Sequence, residues 1–169
     1  MTQRTGKIDP RAEGFTLVEI LVVVIILGIA ASVVVPQMLD AGTLSIQAAS
    51  RMIIADILFA QNEAIGRQAT RKVVFDVPNN AYRLTDGNDV TLTVNWKAGN
   101  YSVDFDTDNR FAGVQLKAVD FEGGNSVTFD ELGAPSSGGT VDLSASGTSY
   151  RVTVTPFTGR VTVAPYSGG

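Results

Sequence analysis

Residues 15–35 read FTLVEILVVVIILGIAASVVV, with Glu19 as the only charge. At 1.5 Å of rise per residue such a run reaches about 30 Å, the thickness of a hydrocarbon core. A core helix of a globular protein would show a polar stripe, and this one offers only Thr16, Glu19 and Ser32. In lipid every backbone group must be bonded internally, so the Val- and Ile-rich run is forced into a helix despite its modest propensity in water. The sequence therefore predicts one membrane helix, and the rest of the chain must fold around that constraint.

Residues 1–14, MTQRTGKIDPRAEG, are polar. Arg4, Lys7, Arg11 and the amino terminus outweigh Asp9 and Glu13, so the bias of positive charge toward the cytoplasm keeps this end inside and sends the remainder across. A secretory signal would have a shorter apolar stretch without an internal acid, followed by a small-x-small site. Here the small residues Ala30, Ala31 and Ser32 lie inside the run. Glu19 is the exception that needs a reason, because a carboxylate inside an apolar helix costs about 2.5–3.5 kcal/mol at the bilayer centre.

The order Gly14-Phe15-Thr16-Leu17-Val18-Glu19, an apolar run, then Pro36 resembles the prepilin signal of type IV pilins and type II secretion pseudopilins. That resemblance implies that a prepilin peptidase cuts between Gly14 and Phe15 on the cytoplasmic face and that the new amino group of Phe15 is methylated. It also implies a role for Glu19, which in an assembled filament would pair with the amino terminus of a neighbouring subunit, cancelling two charges that lipid disfavours. An unpaired charge penalises wrong register, so the pair serves specificity more than affinity. Pro36 removes one helical hydrogen bond and is the expected joint of the helix. Gly28 and Gly42 add weaker points, Gly28 alternatively serving as a packing notch.

Past Pro36 the pattern becomes amphipathic. Ile46, Ala49, Ile53, Ile57, Ala60 and Ala64 recur every three or four residues, with Arg51, Asp56, Asn62 and Glu63 largely off that face. One stripe should pack on a sheet, and Ile54, Leu58 and Ile65 widen the apolar surface, which serves the sheet, neighbouring subunits of a filament, or both, with core packing the reading for most of them. After Thr70 the period changes to two. Strands are expected at 71–77, 82–85, 90–96, 101–105, 114–119, 126–129, 140–143, 149–155 and 159–164, with hairpins at Asn79-Asn80 and at Pro156-Phe157-Thr158. Residues 134–139, APSSGG, read as a flexible loop and 166–169 as a frayed tail. The organisation is thus a leader at 1–14, a transmembrane helix at 15–36, an amphipathic helix at 37–70 and a β-rich domain at 71–169. The fold class is α+β and pilin-like, a long N-terminal helix on a mostly antiparallel sheet.

Within that class LFAQNEAIGRQATRKVVFD, VTFDELGAP and YRVTVTPFTGRVTV resemble the GspH/FimT-type minor pseudopilins. The resemblance implies a subunit held in the inner membrane by a single pass, with its β domain in the periplasm or outside, assembled into the pseudopilus of a type II secretion system. A minor component of a type IV pilus, serving assembly, DNA uptake or ligand capture, is the alternative. Implied partners are the prepilin peptidase, other pseudopilins or pilins met through the N-terminal helix, an inner-membrane assembly platform and secreted cargo.

Composition narrows the chemistry. The chain has no His and no Cys, which removes imidazole bases, thiolate nucleophiles and the zinc or iron–sulfur sites built on them. No acid–base pair or activated nucleophile can be named, so neither catalysis nor a cofactor is expected. Asp104, Asp106 and Asp108 alternate like calcium ligands, but Asn109 stands where a calcium loop has Gly and Gln115 where it has Glu, so a solvated acidic turn is the reading. Formal charge is −4. Arg67, Arg71 and Lys72 form a lone basic cluster and Arg160 stands apart, too little for a phosphate-neutralising face, and nucleic acid is not an expected partner. Gly123-Gly124 and Gly138-Gly139 lack the Lys and Ser/Thr of a phosphate loop.

Overall fold

A computed structural model of the chain describes residues 15–95 and 99–167, the side chains of 33–41 excepted. Two units follow in chain order, Met1–Met38 and Leu39–Gly169. A helix, α1 (Leu17–Arg67), contributes to both. Thr16 caps its start: the hydroxyl accepts from the Glu19 N–H at 3.2 Å and the carbonyl from the Ile20 N–H at 3.2 Å. Its end is closed by a left-handed residue, Gln68, with the Gln68 N–H on the Ile65 carbonyl and the Ala69 N–H on the Ala64 carbonyl. The joint expected at Pro36 falls among residues whose side chains lie outside the description.

In the second unit the period of 3.6 emerges as burial. Ile46, Ala49, Ile53, Ile57, Ala60 and Ala64 are completely inaccessible. Gly42–Arg67 also has the length and, at 1.3, the mean hydropathy of a membrane helix. Its apolar stripe is used up against strands, however, so it is the core helix of this domain. Leu58 and Ile65 correct the expectation of further core, since both remain exposed. Asp56 corrects it in the other sense: only 3% exposed, it faces inward. Gly42 is a contact point rather than a weak one, because a Cβ there would run into the Ser146 side chain.

Among the described residues, eight strands form two four-stranded antiparallel sheets. The first has the order β3 (Ser102–Asp104), β2 (Ala81–Asp86), β1 (Arg71–Asp76), β5 (Ser126–Phe129); the second has β4 (Gln115–Asp120), β6 (Gly139–Ala145), β7 (Thr148–Val154), β8 (Val161–Pro165). Both expected hairpins are present, β1–β2 in the register Asp76↔Ala81 and β7–β8 in the register Val154↔Val161. The core is aromatic. Phe75 stacks on Phe121 at 6.0 Å and tilts against Tyr82, which meets Phe105, and Phe105 meets Phe111 edge-on at 5.4 Å.

Three expectations fail for long-range reasons. Residues 90–95 do not form the expected strand. Only single bridges, Thr85↔Thr91 and Thr93↔Asn100, survive, and Leu92 is inserted between Leu84 and Tyr101, donating to one carbonyl and accepting from the other amide; Trp96 lies outside the described residues. The 134–139 stretch is pinned, not loose: the Ser136 N–H donates to the Thr128 carbonyl at 2.7 Å, and Gly139 opens β6 where any Cβ would collide with Phe121 and the Asp120 carbonyl. Gly139→Ala is therefore expected to cost about 1–3 kcal/mol, read as a lowered denaturation midpoint. Tyr166 is not frayed, since its N–H donates to the Ser149 carbonyl and its ring lies 3.6 Å under the Arg151 guanidinium.

Candidate processing and assembly site

The N-terminal unit is described by itself. Phe15 precedes the helix and is 77% exposed, so the residue expected to become the amino terminus sits immediately before a capped helix start. Gly14 lies outside the described residues. Glu19 stands in the first turn, exposed. Thr16 and Glu19 have the spacing of a capping box, and a carboxylate there meets the positive end of the helix dipole. This second reason for an acid at that position was missed in the sequence, although the Thr-x-x-Glu spacing carried it. From Leu17 to Ile29 the large apolar side chains are exposed on every side, and no heavy atom approaches where a Cβ of Gly28 would be. The Ser32 hydroxyl returns to the Ile29 carbonyl at 2.7 Å and so exposes no donor. A helix apolar all round belongs in lipid or among other apolar helices.

In the domain, three separate sequence patterns meet at one side chain. Gln61, on α1, donates through Nε2 to the Gly133 carbonyl at 2.8 Å and to the Thr158 carbonyl at 3.3 Å. The first loop is shaped by Asp130, whose carboxylate accepts from the amides of Leu132 and Ala134. Gly133 and Gly159 have φ of +79° and +65°, and a Cβ would strike Ile65 at the first and the Gln61 amide at the second. These glycines are thus required by both conformation and contact. The segments of residues 58–76, 127–135 and 150–163 that carry the family resemblance converge here because one helix side chain bonds both loops.

The remaining candidates separate. Asp104 accepts from the amides of Asp106 and Thr107, Asp106 from the Asn80 amide at 2.7 Å, and Asp108 caps a 3-10 turn and binds Arg110. Their carboxylates serve turns, and among the described residues no acidic group has the convergence of a metal site. The basic cluster is divided as well: Arg67 pairs with Glu63 and Lys72 with Asp89.

Residues 49–159 match the family model of the type II transport protein GspH, and residues 9–35 match the prokaryotic N-terminal methylation motif. No curated protein sequence matches the chain. Among solved structures it is similar to the minor pseudopilin EpsH of the Vibrio cholerae type II secretion system, with a TM-score of 0.55, 14% identity, and 77% of this chain and 98% of that one covered. It is also similar to the type IV minor pilin FimU of Pseudomonas aeruginosa, with a TM-score of 0.50, 15% identity, and coverage of 70% and 87%. At these identities the structures bear on the fold alone, an N-terminal helix packed on antiparallel sheets. The family match spans most of the chain and begins at the first buried turns of the core helix, so the chain belongs to the GspH family, with a pilin-type N-terminal methylation motif at its head.

Proposed function

We propose that the protein is a minor pseudopilin of a type II secretion system, anchored in the inner membrane by its N-terminal helix and assembled through that helix into a periplasmic pseudopilus that supports protein export. The observation that carries this reading is the occurrence on one chain of the methylation motif at 9–35 and the GspH match at 49–159. The chemistry is consistent. Cutting before Phe15 creates an amine one turn from a carboxylate, and methylation preserves its charge. A neighbour's amine can then meet Glu19 in a medium where either charge alone is costly. The role is mechanical, not catalytic.

Mass spectrometry of the membrane-extracted chain should show loss of Met1 to Gly14 and one added methyl on Phe15; an intact Met1 terminus overturns processing. Glu19→Leu should leave insertion and cleavage in place while incorporation into filaments fails. Normal incorporation would remove the charge-pairing account. A minor type IV pilin is the second reading, favoured by the fold likeness to FimU. Deletion that abolishes twitching or DNA uptake while export continues would select it. The acidic surface predicts no DNA gel shift at physiological salt.

A further inference from the structure

Each sheet has two edges, and three of the four are protected. β4 carries a bulge at Lys117 between Leu116 and Ala118 and ends on Asp120. β3 is three residues long. β5 is covered by its own continuation, through the Phe129↔Pro135 bridge and the Ser136 amide. These are devices by which sheets avoid stray pairing. The β8 edge, VTVAP, has no charge, no bulge and no covering segment among the described residues.

Its outward groups follow from register. The Thr155 N–H donates to the Arg160 carbonyl and the Tyr166 N–H to the Ser149 carbonyl, so residues 160, 162, 164 and 166 bond β7 while Val161, Val163 and Pro165 turn their backbone groups outward. Val161 and Val163 thus present two N–H and two C=O groups, and Pro165, which has no N–H, ends the row. Beside this edge runs α1. Gln61 meets Thr158 at one end, and at the other a notch of about 160 Å³ is lined by Gln47, Ser50, Arg51, Tyr150 and Val163. Val163 is 40% exposed there, and Arg51 is exposed with no acidic partner among the described residues.

We propose that β8 is a docking edge for an extended segment of a different subunit, which adds as a strand, places an apolar residue in the notch and an Asp or Glu against Arg51. A second copy fits poorly. Two β8 edges pairing about a two-fold axis near Val163 would bring Arg51 toward its own image, where like charges repel. Main-chain bonds give such a strand its affinity, and the notch and the cation give its specificity. The identity of the partner as a pilin-like subunit rests on the function proposed above; the free edge and the unpaired cation do not.

The test uses the full chain in cells that build the filament. Because the chain has no Cys, Thr162→Cys supplies a unique thiol on the edge for thiol-reactive crosslinking. The expected product is a crosslink to an extended segment of another pilin-like subunit, located by peptide mass spectrometry. Val163→Pro removes an outward N–H without removing a bond to β7, though it also replaces the Val side chain and fixes φ, and should lower the yield about ten-fold or more, while Val163→Thr keeps it. Arg51→Glu, on the helix surface, should lower the yield too, and it decides the matter if the proline variant does not fold. Unchanged yield in either folded variant, crosslinks only between copies of this chain, or no crosslink from normally incorporated chain overturns the docking edge and leaves the subunit reading intact. Failure of the parent chain to enter filaments overturns that reading and this inference together.

Discussion

Asp56→Ala is expected to lower the unfolding free energy by about 3–5 kcal/mol, measured by denaturant unfolding of the detergent-extracted chain. The carboxylate is 3% exposed and accepts from the hydroxyls of Tyr82 and Tyr101, both at 2.6 Å. Alanine removes a charge-assisted acceptor from two buried donors at once, and a cavity is left between helix and sheet. Asp56→Asn preserves the shape and one acceptor, and should cost about 1–3 kcal/mol. The same triad fixes an alkaline limit. Burial, followed by the charge and the hydrogen bond of Asp56, raises the Tyr82 phenol well above its ordinary value. Burial and the same two influences raise Tyr101. A group whose folded value is raised gives stability that is complete below its unfolded value, near about 10, and lost as pH climbs toward the folded one. Stability should therefore begin to fall above about pH 10 and decline further as the pH rises. Ultraviolet titration should show these two phenolates forming only with loss of structure, and Tyr82→Phe should delete one of them. Phenolates that form in the folded chain at the ordinary pH would contradict the buried triad.

That triad also marks the limit of what the sequence discloses. Six positions of the core stripe, Ile46 to Ala64, are legible because 3.6-residue spacing is a local property, and so are the hairpins at Asn79-Asn80 and 156–158, whose turn residues announce themselves. The prepilin-like head is legible for a different reason: its meaning lies in a short contiguous pattern. Asp56 defeats a local reading, because an acid is assigned outward unless its donors are known, and these stand 26 and 45 residues further on. The same holds for 134–139, where small residues suggest freedom while pairing with β5 removes it. Division of eight strands into two sheets depends on contacts that no window contains. The docking edge belongs to this class, since β8 resembles any other strand until its neighbours are placed.

Asn80→Ala is the second large effect, about 2–4 kcal/mol, because this residue joins the two sheets. Sequence spacing reads Asn79-Asn80 as an ordinary turn, and at φ +48° Asn80 does fill the left-handed position that asparagine tolerates. Its side chain does much more. Nδ2 donates to the Asp106 carboxylate at 2.7 Å and to the Val114 carbonyl at 2.9 Å, while Oδ1 accepts from the Leu116 N–H at 2.8 Å. The Asn80 carbonyl receives the Phe105 N–H. A turn of the first sheet thereby grips the entry to β4 of the second, with the side chain 5% exposed. Alanine strands the buried Leu116 amide and Val114 carbonyl and adds the strain of a Cβ residue at positive φ. Asn80→Gly relieves that strain without restoring the bonds, so it separates the two contributions: conformation alone predicts a nearly native midpoint for Gly, and the bonding account predicts that most of the loss persists. Asn80→Asp is the sharper comparison. It keeps the acceptor for Leu116 but turns a donor toward Asp106 into a second negative charge, and should destabilise most at neutral pH and least in acid, where protonation restores a donor. A loss that did not shrink on acidification would show that the contact with Asp106 contributes little to holding the sheets together.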